Sequence, residues 1–131
     1  IGVEQLKKLP SFLEYRRKNA ELFVSLFENH KDFYIQKDID NSSWFGFSFI
    51  LKPESTLDRA DIVKTLEANQ IDCRPIVTGD FTKNEVLKHF DYEIFGEMKN
   101  AHYLDKKGFF VGNHQVDLTK EIHHLFDVLQ F

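Results

Sequence analysis

Residues 11–28 place the strongest constraint on how this chain folds. Phe12, Leu13, Ala20, Phe23, Val24 and Phe27 recur at helical spacing, while Arg16, Arg17, Lys18 and Glu21 fall mostly off that face. Such a stripe predicts an amphipathic helix with one side buried. Ser11, with Glu14 three residues on, offers a capping box at its start. Residues 3–9 predict a short preceding helix that Pro10 interrupts or kinks. A second constraint is Trp44–Leu51, an aromatic-rich run with apolar residues on both faces, which predicts a strand buried on both sides.

The other elements follow from periodicity and turn chemistry. Phe33–Lys37 is a short strand candidate, Asp38–Ser43 a polar connection, and Lys52–Thr56 a loop containing Pro53. Asp58–Gln70 predicts a helix with Asp58 as N-cap and Ile62, Val63 and Leu66 buried. Ile71–Val77 is the next strand. Lys83–Phe90 and Glu97–Lys106 are weaker helices, and Asp105–Gly108 is a turn. Phe109–Gly112 is a short buried strand, and Leu118–Leu129 is a closing helix with Leu118, Ile122, Leu125, Phe126 and Leu129 on its apolar face. The fold class expected is α+β, a small, mostly antiparallel sheet with helices packed on it. The chain of 131 residues suits one domain with one core, and fourteen phenylalanines supply much of its bulk.

Charge and cysteine usage exclude several classes. A net charge of −4 argues against a general affinity for nucleic acid or anionic lipid, and no apolar run approaches a membrane span. Cys73 is the only cysteine, which rules out an internal disulfide and fits a reducing cytosol, hence a cytoplasmic location. The chain begins with Ile1 inside what reads as a helix, without a preceding cap. It therefore looks like a piece of a longer polypeptide, the alternative being a chain trimmed only of its first residues.

Chemistry concentrates in Cys73–Asn84. An arginine on a strand end, followed by Thr78-Gly79-Asp80, can present a cation, a hydroxyl, backbone N–H groups and a carboxylate on one edge. That set suits an oxygen-rich ligand. Arg74 can grip a carboxylate or phosphate bidentately, or pair with Asp72 or another acid. Gly112-Asn113-His114 is a second candidate rim, or a turn exploiting unusual backbone angles. The six histidines lack ligand spacing, since the adjacent His123 and His124 diverge on a helix, so no metal is expected. Cys73, alone in a strand, reads as a small hydrophobe rather than a thiol nucleophile. Asp58 and Asp61 read as helix N-terminal acids.

Four stretches carry a family resemblance. Ile1–Pro10 with Arg16-Arg17-Lys18-Asn19 resembles the segment opening the C-terminal part of the DegT/DnrJ/EryC1/StrS group, pyridoxal-phosphate enzymes of fold type I acting on nucleotide sugars. Trp44–Phe47, Arg74–Asn84 and Gly108–His114 resemble one branch of it, the 3-dehydratases of 4-keto-6-deoxy nucleotide sugars. The similarity spans essentially residues 1–131, as the single small C-terminal domain of a longer enzyme. It implies lipopolysaccharide-sugar biosynthesis, with pyridoxal or pyridoxamine phosphate (PLP or PMP) in the full-length enzyme and none bound by this segment alone. It implies loss of the C3 hydroxyl from a substrate whose C4 carbonyl engages the cofactor. It also implies a homodimer and a nucleotide-diphosphate 4-keto-6-deoxy sugar as partner.

By the same resemblance, Arg74, Thr78, Gly79 and Phe81 border the substrate cleft, and His114 lies near its edge. Asp80 stands where the branch more often has asparagine, and an outward carboxylate there would repel an anionic ligand. Together, Arg74, Thr78, Gly79, Asp80, Phe81 and His114 are the candidate substrate-binding residues, with no catalytic residue in this segment. A sugar aminotransferase and a stand-alone α+β binding module are the competing expectations. A domain built to lie against a larger one should also expose an apolar patch, with the opening helix as its candidate place.

Overall fold

The computed structural model describes residues 2–131. The part of the opening-helix expectation that concerns Ile1 lies outside the described residues. Helix α1 runs unbroken over Gly2–Phe27 with Pro10 inside it. The expected break at Pro10 does not occur. Residues 2–11 are all exposed, so the carbonyl that loses its donor at the proline can be hydrated. The expected cap at Ser11 is likewise absent, and the Ser11 hydroxyl donates to Lys8 O at 2.9 Å within the helix. Val3, Leu6 and Leu9 project from these first turns as exposed apolar side chains.

Strands β1 (Phe33–Ile35) and β2 (Gly46–Leu51) pair antiparallel. Helix α2 (Arg59–Ala68) is capped by Asp58, whose carboxylate accepts the Ala60 N–H at 2.8 Å, as the sequence predicts. Strand β3 (Cys73–Pro75) is shorter than expected. Two 3-10 turns, Phe81–Lys83 and Glu85–His89, replace the weak helix expected over 83–90. Helix α3 (Lys99–Lys107) runs directly into strand β4 (Gly108–Gly112), leaving no separate turn at 105–108. Helix α4 (Thr119–Val128) closes the chain.

The sheet order is β1-β2-β4-β3, and all three pairings are antiparallel. The last strand thus enters the middle, leaving two three-residue strands at the edges, where short length limits stray pairing. Register aligns the core. Phe33 faces Leu51, Phe49 faces Phe109, Phe47 faces Val111, and Val111 faces Cys73. Phe23 of α1 stacks on Phe47 at 4.3 Å, and Phe49 stacks on Phe109 at 5.1 Å. Ile62 and Leu66 of α2 and Ile122 and Leu125 of α4 complete this interior.

Strand β2 departs from expectation in two ways. Phe47, Phe49 and Leu51 are buried, but Ser48 and Ile50 on the other face are only half-buried, so cover is largely one-sided. Trp44 and Phe45 also lie outside the strand. Trp44 takes a φ of 46°, a left-handed conformation rare for a bulky residue, which turns its ring into the core and breaks the pleat.

Candidate functional site

The Ile76–Asn84 loop leaves the end of β3 and folds onto α3. Gly79 N–H donates to Ile76 O at 2.7 Å, closing a turn, and Gly79 has a φ of 54°. A Cβ there would lie 3.1 Å from Asp105 Cγ of α3, so the backbone needs glycine for both its angle and its close approach.

Asp80 does not face outward as expected. It is 3% exposed, and its carboxylate caps the following 3-10 turn by accepting the Thr82 N–H at 3.1 Å and the Thr82 hydroxyl. Its other oxygen accepts from His102 Nδ1 of α3. The Thr82 hydroxyl contributes most to holding the Asp80 pKa below its ordinary value; burial opposes the shift, and the His102 bond reinforces it. Lys83 Nζ bridges Asp105 at 2.8 Å and Asp80 at 3.6 Å. The Lys83 hydrogen bond, then one from the Asp80 backbone N–H, lowers the Asp105 pKa in turn. Arg59 of α2 donates to Asp105 O at 2.8 Å and Gly108 O at 3.2 Å, satisfying carbonyls at the C-terminal end of α3.

Consequently the N–H groups of Gly79, Thr82 and Lys83 are engaged within the loop. The loop presents Thr78, Val77 (82% exposed) and the Phe81 ring (47% exposed) to solvent. Arg74 is exposed on the edge strand opposite Phe110, beside a cavity of about 400 Å³ shared with Arg59, Lys64 and Pro75. Among the described residues it makes no ion pair, so the expected alternative of a bridge to Asp72 is not realised.

His114 is not gathered into the same place. Pairing of Cys73 with Val111 and of Pro75 with Phe109 sends residues 76–81 beyond one end of β4, and His114 follows the other end. There it lines a cavity of about 350 Å³ with Asp72, Leu118, Glu121 and His124. Its loop is set by two buried amides. The Asn19 amide donates to Asn113 Oδ1 at 3.1 Å, His114 O at 3.1 Å and Val116 O at 2.8 Å, and Asn19 Oδ1 accepts the Leu118 N–H at 3.1 Å. Asn113 in turn donates to Arg16 O and Trp44 O, each at 3.0 Å. Gly112 ends β4, and neither it nor Asn113 takes the unusual backbone angles expected of a turn; the segment is held instead by these amide bonds, and His114 remains exposed on it.

Sequence reasoning missed the roles of Asn19, His102 and Asp105, and placed Asn113 at a rim without its buried hydrogen bonds. The spacing of His102 and Asp105, three apart on α3, was the one available signal, since it places both on one helix face. Cys73 is half-buried toward the core, and burial pushes its thiol pKa up, which disfavours the nucleophilic thiolate.

Residues 1–129 match the model of the DegT/DnrJ/EryC1/StrS aminotransferase family. The chain belongs to that family. Among its members, the GDP-4-keto-6-deoxy-D-mannose 3-dehydratase of Yersinia pseudotuberculosis is 58% identical over 131 residues, 99% of this chain and 33% of that protein. A solved structure of the E. coli GDP-4-keto-6-deoxy-D-mannose-3-dehydratase with bound hydrated PLP superposes with a TM-score of 0.96 at 53% identity, over 98% of this chain and 33% of that one. A solved H188N variant of ColD, a GDP-4-keto-6-deoxymannose-3-dehydratase, holds GDP-perosamine and superposes equally, at 53% identity over 98% of this chain and 34% of that one. The chain spans about a third of the length of these family relatives.

Proposed function

We propose that this chain is the small, substrate-side C-terminal domain of a PLP- or PMP-dependent nucleotide-sugar 3-dehydratase. It serves deoxysugar synthesis for lipopolysaccharide, as a cytoplasmic homodimer. The observation that carries this reading is the 58% identity to a GDP-4-keto-6-deoxy-D-mannose 3-dehydratase across 99% of the chain. Buried residues are a minority of the chain, so identity at that level must include exposed positions, which supports a shared substrate class as well as a shared fold.

The residues here do not themselves fit the cofactor. Most of the loop amides that could cradle a phosphate are already engaged, namely those of Gly79, Thr82 and Lys83. The cofactor's contacts therefore belong to the portion of the enzyme that this chain does not span, and none of its chemistry is assigned to residues 1–131. What these residues offer is binding. Arg74 supplies a free guanidinium for the diphosphate or a carboxylate, Thr78 a hydroxyl, and Phe81 an apolar edge for a sugar ring. Gly79 sets the turn that presents them, and Asp80 acts from inside the loop, so its carboxylate is not a repulsive neighbour for an anion. His114, at the far end of β4, would touch a substrate only at a separate edge of the cleft.

The test is product analysis with the full-length enzyme, PMP and GDP-4-keto-6-deoxy-D-mannose. Loss of the C3 hydroxyl is expected, and a 4-amino sugar as the sole product would establish an aminotransferase instead. Arg74→Ala should slow nucleotide-sugar turnover while the cofactor stays bound, and unaltered turnover would make Arg74 a structural residue. The isolated 131-residue chain should show no stoichiometric change in cofactor absorbance when PLP is added.

A further inference from the structure

We propose that His102 and Asp105 of α3 are positioning residues, fixing where the Thr78–Phe81 loop stands against the nucleotide sugar without touching it. This rests on the cleft reading above. The loop has little else to hold it. Neither 3-10 turn nor α3 buries a side chain, and the main apolar anchor nearby is Ile76 packed under Gly108. Its place is therefore set by polar links to α3.

Each link has a defined direction. The Asp80 carboxylate, ionised and acceptor-only, already takes two bonds from Thr82 on one oxygen. Its second oxygen accepts from His102 Nδ1, so that nitrogen must carry the proton. Asp105 accepts from the Lys83 ammonium at 2.8 Å, and its side chain fills the space that a Cβ on Gly79 would need. His102 and Asp105, three residues apart, thus hold successive parts of one loop from one helix face. Arg59 holds the end of α3 in turn, so the support is tied to α2.

The experiment compares His102→Ala and His102→Asn in the full-length enzyme. Asparagine places an N–H where Nδ1 stands, so it can restore the bond to Asp80. With alanine, KM for GDP-4-keto-6-deoxy-D-mannose should rise roughly tenfold while kcat stays within about twofold, the pattern of lost binding rather than lost chemistry. Asparagine should bring KM back. Amide hydrogen exchange across Thr78–Thr82, measured without substrate, should quicken in the alanine variant and return to normal in the asparagine variant. Unchanged exchange, or an unrescued KM, overturns the proposal. Faster exchange with an unmoved KM overturns the positioning role. If Arg74→Ala then also leaves KM unmoved, the failure lies in the cleft reading itself.

Discussion

Two polar networks brace this domain at opposite ends of β4, and they differ in kind. At one end, Asn19 and Asn113 form a seam that is almost fully buried and carries no formal charge. At the other, Asp80, His102, Lys83 and Asp105 clamp a loop with ionisable groups, most of them open to water. The seam lies between α1 and the segment that joins β4 to α4, with the Asn19 and Asn113 side chains buried at its centre. Removing one amide leaves several groups unpaired at once. The clamp sits where water can replace a lost partner, so its loss costs position more than folding. One end holds the fold together; the other aims a loop.

Breaking the seam should give the largest effect. Asn19→Ala strands the Leu118 N–H, the His114 and Val116 carbonyls and Asn113 Oδ1, at a cost of about 3 kcal/mol or more. Thermal unfolding should show a Tm lower by roughly 10 °C. A Tm within a degree of the parent would mean that water enters the seam, and the contrast with the clamp would collapse.

Acid titration separates the two networks further. His30 is buried, and desolvation lowers its pKa, with Nε2 donating to Leu129 O and Nδ1 accepting the Asp32 N–H. The neutral ring is the one the fold accepts. A depressed histidine contributes stability that is complete above its ordinary value of about 6.5 and is lost as pH falls below it. Tm should therefore decline from about pH 6.5 downward, and His30→Gln should flatten that slope. Asp80 and Asp105 also have depressed pKa values, so their contribution is complete above about pH 4 and fades only under stronger acid. Exchange at Thr78–Thr82 should accordingly stay slow while the His30 transition is under way. Loop loosening already at pH 6 would contradict this ordering.

The smallest effect is expected at the exposed pair of Lys18 and Glu14, 2.6 Å apart on α1. Glu14→Gln should leave Tm and loop exchange unchanged, because water screens both charges. A large drop there would show that surface pairs matter more than either network.

Much of the architecture was legible because local rules and burial agreed. The Asp58 cap, the apolar stripe of Phe23 and Phe27, and the alternation of Phe47, Phe49 and Leu51 each announce one element and one buried side. Pro10 misled because its penalty depends on solvent access, which a local pattern does not contain. Trp44 misled because a strong strand former was turned left-handed by packing into the core. In the loop, Arg74 through Phe81 stood out as non-core, but Asp80 is held inward by His102, more than twenty positions away, as well as by the neighbouring Thr82.

The sequence alone determined the α+β class, the antiparallel sheet and the family, since periodicity, turn chemistry and motif are local properties of neighbouring residues. The tertiary structure alone decided which polar groups are free to meet a ligand. Among the described residues it left Arg74 without an ion pair, and it turned Asp80 inward and sent His114 to the other end of β4. The physical reason is that hydrogen-bonding capacity is limited and shared across distant segments. A donor or acceptor is available for function only once every neighbour brought by the fold has been counted.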